Sequence, residues 1–178
     1  MNLPNLISSL RIIMVPLFIC FYMQGNIRAA LAVLMLSAVS DVLDGMIARR
    51  FNMVSDLGKI LDPVADKLSQ AAMMFCLAGS YPQIWLLLGI HIFKELVLSA
   101  MGFFVVKSTG RVNSARWYGK ACTAFIYSLM LLLLVYPRLP KELVNWLLLC
   151  CGVWMIVCLL LYFTEYLRML HKQAGTDY

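Results

Sequence analysis

Long apolar runs, separated by short polar or glycine- and proline-containing breaks, fill almost the whole chain. Such runs predict helices that cross a bilayer, because a spanning helix needs about 20 mostly apolar residues. The pattern predicts an all-α, polytopic membrane protein with six transmembrane helices, at about residues 6–23, 27–49, 61–79, 84–106, 118–136 and 143–167. A short N-terminal segment, Asn2 to Arg11, mixes polar and apolar residues and is predicted to lie along the membrane interface.

The composition supports this pattern and excludes most soluble classes. Of the 178 residues, 62% are hydrophobic and only 13% are charged, whereas soluble domains have roughly 45–50% and about 25%. Six spans leave no room for a separate soluble domain, so a single membrane domain is expected over residues 1–178. The formal net charge of +6 is attributed to the positive-inside bias and to anionic lipids, not to nucleic acid.

The positions of the basic residues predict the orientation in the cell membrane. Most of them fall on one side of a six-span chain, and Arg28, Arg138 and Lys141 fall on the other. The positive-inside rule then places both termini in the cytoplasm, together with the polar loops at residues 50–59 and 107–116.

Four aspartates interrupt the apolar pattern near the cytoplasmic ends of the second and third spans. Asp41 and Asp44 are three residues apart, and Asp62 and Asp66 are four apart, so each pair shares one helix face. A carboxylate within a bilayer costs about 2.5–3.5 kcal/mol on insertion scales, and four together repel one another. Divalent cations offset both effects, because they take carboxylate and phosphate oxygens as ligands. Two such ions could hold a pyrophosphate between them.

The residues between the aspartates suit a ligand that carries phosphate. Gly45 and Ala48 keep the same helix face small, which lets a ligand or a neighbouring helix approach closely. Arg49 follows about one turn after Gly45 and can pair with phosphate oxygens. Ser55 and Gly58 are expected in a loop over this site.

The stretch from Asp41 to Asp66 resembles the signature of the CDP-alcohol phosphotransferases. It reads Asp-x-x-Asp-Gly-x-x-Ala-Arg, then eight residues, then Gly-x-x-x-Asp-x-x-x-Asp, and every fixed position is present. The chain length and the six-span plan extend the similarity to essentially the whole chain. The resemblance implies transfer of a phosphatidyl group from CDP-diacylglycerol to an alcohol, with release of CMP.

The resemblance also implies a role for each motif residue. Two Mg²⁺ or Mn²⁺ ions are expected, with the four aspartates as ligands: Asp41, Asp44, Asp62 and Asp66. Asp66 is expected to act also as the general base for the acceptor hydroxyl. The residues expected to hold the CDP-lipid are Gly45, Arg49, Ser55 and Gly58. A homodimer follows by the same analogy.

The sequence around the last two aspartates favours glycerol 3-phosphate as the acceptor alcohol. Residues 61–67 (Leu-Asp-Pro-Val-Ala-Asp-Lys) resemble family members that act on glycerol 3-phosphate, and also the related cardiolipin synthases. A dianionic phosphate needs a basic pocket, for which the candidates are Lys94, Arg111, Arg116 and Lys120. Cys122 replaces the second lysine of the Gly-Lys-x-Lys-Thr that such members carry, so phosphatidylglycerol and other alcohols are alternatives.

Other interpretations compete for the same residues. A cation transporter or proton relay also needs carboxylates in the membrane, but it favours helices broken at corresponding places in two halves, and no repeat is visible. A purely structural carboxylate cluster leaves the intervening glycine, alanine and arginine unexplained. Lys94 and Glu95 could be an ion pair that only orients its helix. The basic residues of the second polar loop could contact only lipid headgroups.

Overall fold

The structure is a computed structural model of the chain. It describes the backbone at residues 3–51, 56–109 and 116–174, and the side chains at residues 10–40, 64–107 and 116–169. The predicted all-α fold class is confirmed. The described residues form six helices: α1 Leu3–Met23, α2 Ile27–Phe51, α3 Asp56–Ala78, α4 Ile84–Thr109, α5 Trp117–Val135 and α6 Lys141–Ala174.

Turn-forming residues separate the helices where the sequence predicts the breaks. Gly25, after the end of α1, has a φ of 75°, a left-handed conformation that glycine adopts without steric cost. The side-chain oxygen of Asn26 accepts a hydrogen bond from the backbone N–H of Ala29 at 3.2 Å, which caps the start of α2. Pro82 lies between α3 and α4, and Pro140 directly precedes α6.

Several helices extend beyond their predicted bounds. The first polar loop was predicted over residues 50–59, but α2 continues to Phe51 and α3 already begins at Asp56. Gly58 therefore lies in a helix, and its predicted place in a loop is wrong. Hydropathy reports only the lipid-embedded part of a helix, whereas backbone hydrogen bonding continues through polar residues. The N-terminal segment from Leu3 onward is likewise the first part of α1, and its position at the interface stays a prediction.

Within the residues that the structure describes, three helices have both the length and the apolar character of membrane spans. These apolar spans are Ile84–Lys107, Trp117–Val135 and Lys141–Met169. The helices α1, α2 and α3 contain 21, 25 and 23 residues, or about 31–38 Å at 1.5 Å per residue. Their backbones are thus long enough for a hydrocarbon core of about 30 Å, although their apolar described stretches are shorter. The three apolar spans identify a membrane protein.

The contacts divide the chain into two compact units, residues 1–80 and 81–178. In the first unit, α1 packs against both α2 and α3. Its buried core contains both large side chains, such as Phe18 and Met74, and small ones, such as Ala30 and Ala72. Small residues at such positions let helices approach closely. The single domain predicted over the whole chain stays a prediction.

In the second unit, α6 packs against both α4 and α5. Gly152 of α6 lies against α4, since a Cβ there would stand 3.2 Å from Cδ2 of Leu87. The buried core of this unit includes Ile126, Met130 and Met155. Glycine thus permits the close approach of two apolar helices.

Substitution of Ala30 by leucine tests the packing of the first unit. Ala30 is fully buried, so the larger side chain should force neighbouring groups apart at a cost of about 1–3 kcal/mol. We expect a lower thermal midpoint in detergent, measured by the loss of monodisperse protein after heating. Ala32→Leu is the matched control, because Ala32 is exposed on the same helix. Equal midpoints for the two variants would contradict this packing.

Candidate functional site

The aspartate motif lies where α2 ends and α3 begins. Asp44 lies about two turns before the end of α2, and Asp62 lies about two turns after the start of α3. Only residues 52–55 separate the two helices, and a connection of that length spans at most about 18 Å. The connection therefore keeps the two motif-bearing helix ends close together.

Asp66 is the one motif aspartate whose side chain is described. It is partly exposed on α3, next to the buried Ala65. The other motif side chains, and one predicted acceptor ligand, lie outside the described side chains: Asp41, Asp44, Gly45, Arg49, Ser55, Gly58, Asp62 and Arg111. No three His, Cys, Asp or Glu residues form a metal-binding group within the described part of the chain. The metal site therefore stays a prediction.

Three of the basic residues predicted to bind the acceptor are described, and all belong to the second unit. Lys94 is only 4% exposed on α4, and its Nζ donates to Oε1 of Glu95 at 2.5 Å. A buried ammonium group needs such a counter-charge. Lys120, in contrast, is exposed on α5.

Arg116 takes part in a polar network that joins the start of α5 to α6. Its guanidinium donates to Oε1 of Glu165, and the hydroxyl of Tyr118 donates to Oε2 of the same carboxylate at 2.6 Å. The backbone N–H of Arg116 donates to the hydroxyl of Tyr162 at 3.3 Å. We call these four residues, Arg116, Tyr118, Tyr162 and Glu165, the α5–α6 network.

Aromatic contacts surround this network. The rings of Tyr118 and Tyr162 meet edge to face with centroids 4.7 Å apart, and Tyr162 stacks on Tyr166 at 6.1 Å. A Cβ on Gly119 would stand 3.0 Å from Cε2 of Tyr162 and would overlap its hydroxyl. The absence of a side chain at Gly119 thus lets the Tyr162 ring lie against the backbone of α5.

One of the predicted acceptor residues, Arg116, also lines a groove. Beside the network, this groove of about 750 Å³ runs between the start of α5 and the end of α6, and its lining includes Arg116, Trp117, Thr164 and Arg168. The structure therefore places Arg116, together with Arg168, at the edge of this groove.

Sequence reasoning missed Tyr118, Tyr162 and Glu165. A usable signal existed for Glu165, because a carboxylate within an otherwise apolar run requires a partner. The partner itself could not be read from the sequence, since Arg116 precedes it by 49 residues. The two tyrosines carried no local signal beyond the ordinary aromatic content of a membrane helix.

The sequence is similar to a known protein family and to named relatives from several bacteria. The sequence profile described as CDP-alcohol phosphatidyltransferase matches residues 1–167. A relative from Pseudomonas fluorescens is 36% identical over 75% of this chain and 72% of its own length. One from Aquifex aeolicus (strain VF5) is 35% identical over 71% of each chain. One from Escherichia coli (strain K12) is 34% identical over 68% of this chain and 70% of its own. All three are named CDP-diacylglycerol–glycerol-3-phosphate 3-phosphatidyltransferase.

Substitution of Gly119 by alanine tests the contact between α5 and Tyr162. The new Cβ would overlap the Tyr162 hydroxyl, so we expect a lower thermal midpoint in detergent. Tyr162→Phe should restore part of the loss in the double variant, because it removes the overlapping oxygen. Gly89→Ala is the control: nothing lies within 4 Å of a Cβ there, and alanine favours a helix over glycine. If Gly119→Ala is as stable as Gly89→Ala, the close contact is refuted.

Proposed function

The chain belongs to the CDP-alcohol phosphatidyltransferase family, and we propose that it transfers a phosphatidyl group from CDP-diacylglycerol to glycerol 3-phosphate. The product would be phosphatidylglycerophosphate, and CMP would leave. The observation that carries the proposal is the family match over residues 1–167, joined by relatives at 34–36% identity that are named for this reaction. The complete aspartate signature between Asp41 and Asp66, which lies within the matched residues, agrees with it.

In the proposed reaction, Asp66 is the general base. Its carboxylate takes the proton of the acceptor hydroxyl. The acceptor oxygen then forms a bond to the lipid-side phosphorus, and the bond from that phosphorus to the CMP oxygen breaks. Asp66 suits this role because its side chain is partly exposed on α3, where an alcohol could reach it.

Two divalent metal ions, Mg²⁺ or Mn²⁺, fit the donor set of the motif. Four carboxylates on consecutive helices offer hard oxygen ligands without competing thiolates or imidazoles. The ligands we propose are Asp41, Asp44, Asp62 and Asp66. When bound, the ions would neutralise charge on the pyrophosphate.

The CDP-lipid would bind beside these aspartates. The residues we propose for it are Gly45, Arg49, Ser55 and Gly58. Gly58 lies in the first turn of α3, and the positive end of a helix dipole favours an anionic group. Arg49, near the end of α2, offers a guanidinium that can pair with two phosphate oxygens.

The acceptor phosphate would be attracted by basic side chains of the second unit: Lys94, Arg111, Arg116 and Lys120. Lys94 supports this role, because a buried charged residue on an apolar membrane helix is a candidate for a functional site. In the membrane, the basic loops would place this region and both termini on the cytoplasmic side. A homodimer is proposed from the family alone.

An acceptor panel tests the proposed function. Purified protein with CDP-diacylglycerol and Mg²⁺ should release CMP and form phosphatidylglycerophosphate with glycerol 3-phosphate, as measured by nucleotide and lipid chromatography. Phosphatidylglycerol, inositol phosphate and serine should give little product. EDTA should stop the reaction, and added Mg²⁺ or Mn²⁺ should restore it. If a different lipid product forms, the acceptor alcohol is not glycerol 3-phosphate. If no acceptor leads to release of CMP, the protein does not catalyse this transfer.

Asp66→Asn tests the base. The amide cannot take the hydroxyl proton, so we expect loss of turnover by at least about 100-fold, while CMP binding stays within a few-fold. Glu142→Gln removes an exposed carboxylate at the start of α6 and should leave the rate unchanged. Full activity of Asp66→Asn would show that another group takes the proton.

A further inference from the structure

We propose that Glu165 is a positioning residue for the acceptor: it fixes the first turn of α5 and the basic side chains which that turn carries. The proposal rests on the proposed function, since it concerns the same acceptor. It adds a residue of α6 that lies outside the aspartate motif and outside the basic set predicted from the sequence.

The first observation is that both carboxylate oxygens of Glu165 accept hydrogen bonds from residues at the start of α5. One oxygen accepts from the guanidinium of Arg116, and the other accepts from the hydroxyl of Tyr118 at 2.6 Å. One turn earlier on α6, the hydroxyl of Tyr162 accepts the backbone N–H of Arg116 at 3.3 Å. Three contacts from a single helix thus converge on two residues at the start of α5.

The second observation is that the start of α5 has no cap of its own. Arg116 occupies the N-cap position with extended backbone angles (φ −80°, ψ 155°), and its side chain makes no capping hydrogen bond. Ser, Thr, Asp or Asn usually supplies that bond. Here α6 provides what the local sequence lacks. The Tyr162 hydroxyl accepts a hydrogen bond from the N-cap N–H, and the Glu165 carboxylate lies at the positive end of the helix dipole of α5.

The consequence for Arg116 is that its guanidinium works as an anchor. It donates to Glu165, whose side chain is 19% exposed, while the Arg116 side chain is 47% exposed. The more buried carboxylate holds one side of the guanidinium, and the rest of it stays open to solvent. Lys120 lies one turn further along the anchored helix and is exposed. A fixed first turn therefore holds the backbone of Lys120 in one place, so less backbone order has to be imposed when the acceptor phosphate binds.

The sign of the effect separates this role from simple charge neutralisation. If Glu165 merely cancelled the charge of Arg116, its removal would strengthen the attraction for a phosphate and lower the KM of glycerol 3-phosphate. If Glu165 positions α5, its removal raises that KM. Tyr118→Phe removes a contact to the same carboxylate without changing any charge, so it should act in the same direction.

The test is a kinetic split in Glu165→Gln and Tyr118→Phe. We expect the KM for glycerol 3-phosphate to rise about 3- to 10-fold in Glu165→Gln, and less in Tyr118→Phe, while the KM for CDP-diacylglycerol and kcat stay within about twofold. Glu142→Gln, which removes the other carboxylate of α6, should change none of these values. An unchanged or lower acceptor KM in Glu165→Gln overturns the proposal.

A second measurement does not depend on activity. Amide hydrogen exchange across residues 117–120 should be faster in Glu165→Gln than in the wild type, with no change across residues 126–135 of the same helix. Unchanged exchange at the start of α5 also overturns the proposal. If the wild type turns over a different acceptor, the proposed function fails, whereas the kinetic split is measured with that acceptor and the exchange result stands by itself.

Discussion

A charged group inside an apolar helix must find a partner, because lipid offers it neither water nor counter-ions. Two ion pairs of the second unit meet this requirement, and they do so differently. Lys94 pairs with the carboxylate of Glu95, its neighbour on the same helix, so this ion pair does not hold two helices together. Glu165, within the apolar span of α6, takes Arg116, which directly precedes α5, so that pair also fixes the start of α5 on α6. The same constraint underlies our proposal that the motif aspartates bind cations.

Close helix approach is the second element of the architecture, and glycine makes it possible. Gly152 brings α6 against α4, and Gly119 brings it against α5. Because α6 contacts both neighbours, its tyrosines can serve as hydrogen-bond acceptors and as packing surfaces at the same time. The polar contacts of Tyr162 and Glu165 thus lie on the side of α6 that faces the start of α5.

The sequence predicted the six helices and most of their ends, because apolar runs and turn residues such as Gly25 and Pro82 act locally. The aspartate motif can be read directly from the sequence because its spacing is local, and the metal site proposed on it stays a prediction. The sequence misplaced Gly58, since hydropathy does not report where a helix leaves the lipid. It could not predict the pairing of Arg116 with Glu165, because the partners are joined only by the packing of α5 on α6. Local periodicity predicts where helices form and which residues share a helix face. The residues that pair between two helices can be identified only from the packed structure.

The ring of Tyr162 against Gly119 has a mechanical consequence. With no gap at that crossing, α5 cannot turn about its own axis unless α6 turns with it. The orientation of α5 about its axis is thus tied to a single side chain of α6, and a smaller side chain at position 162 would release it.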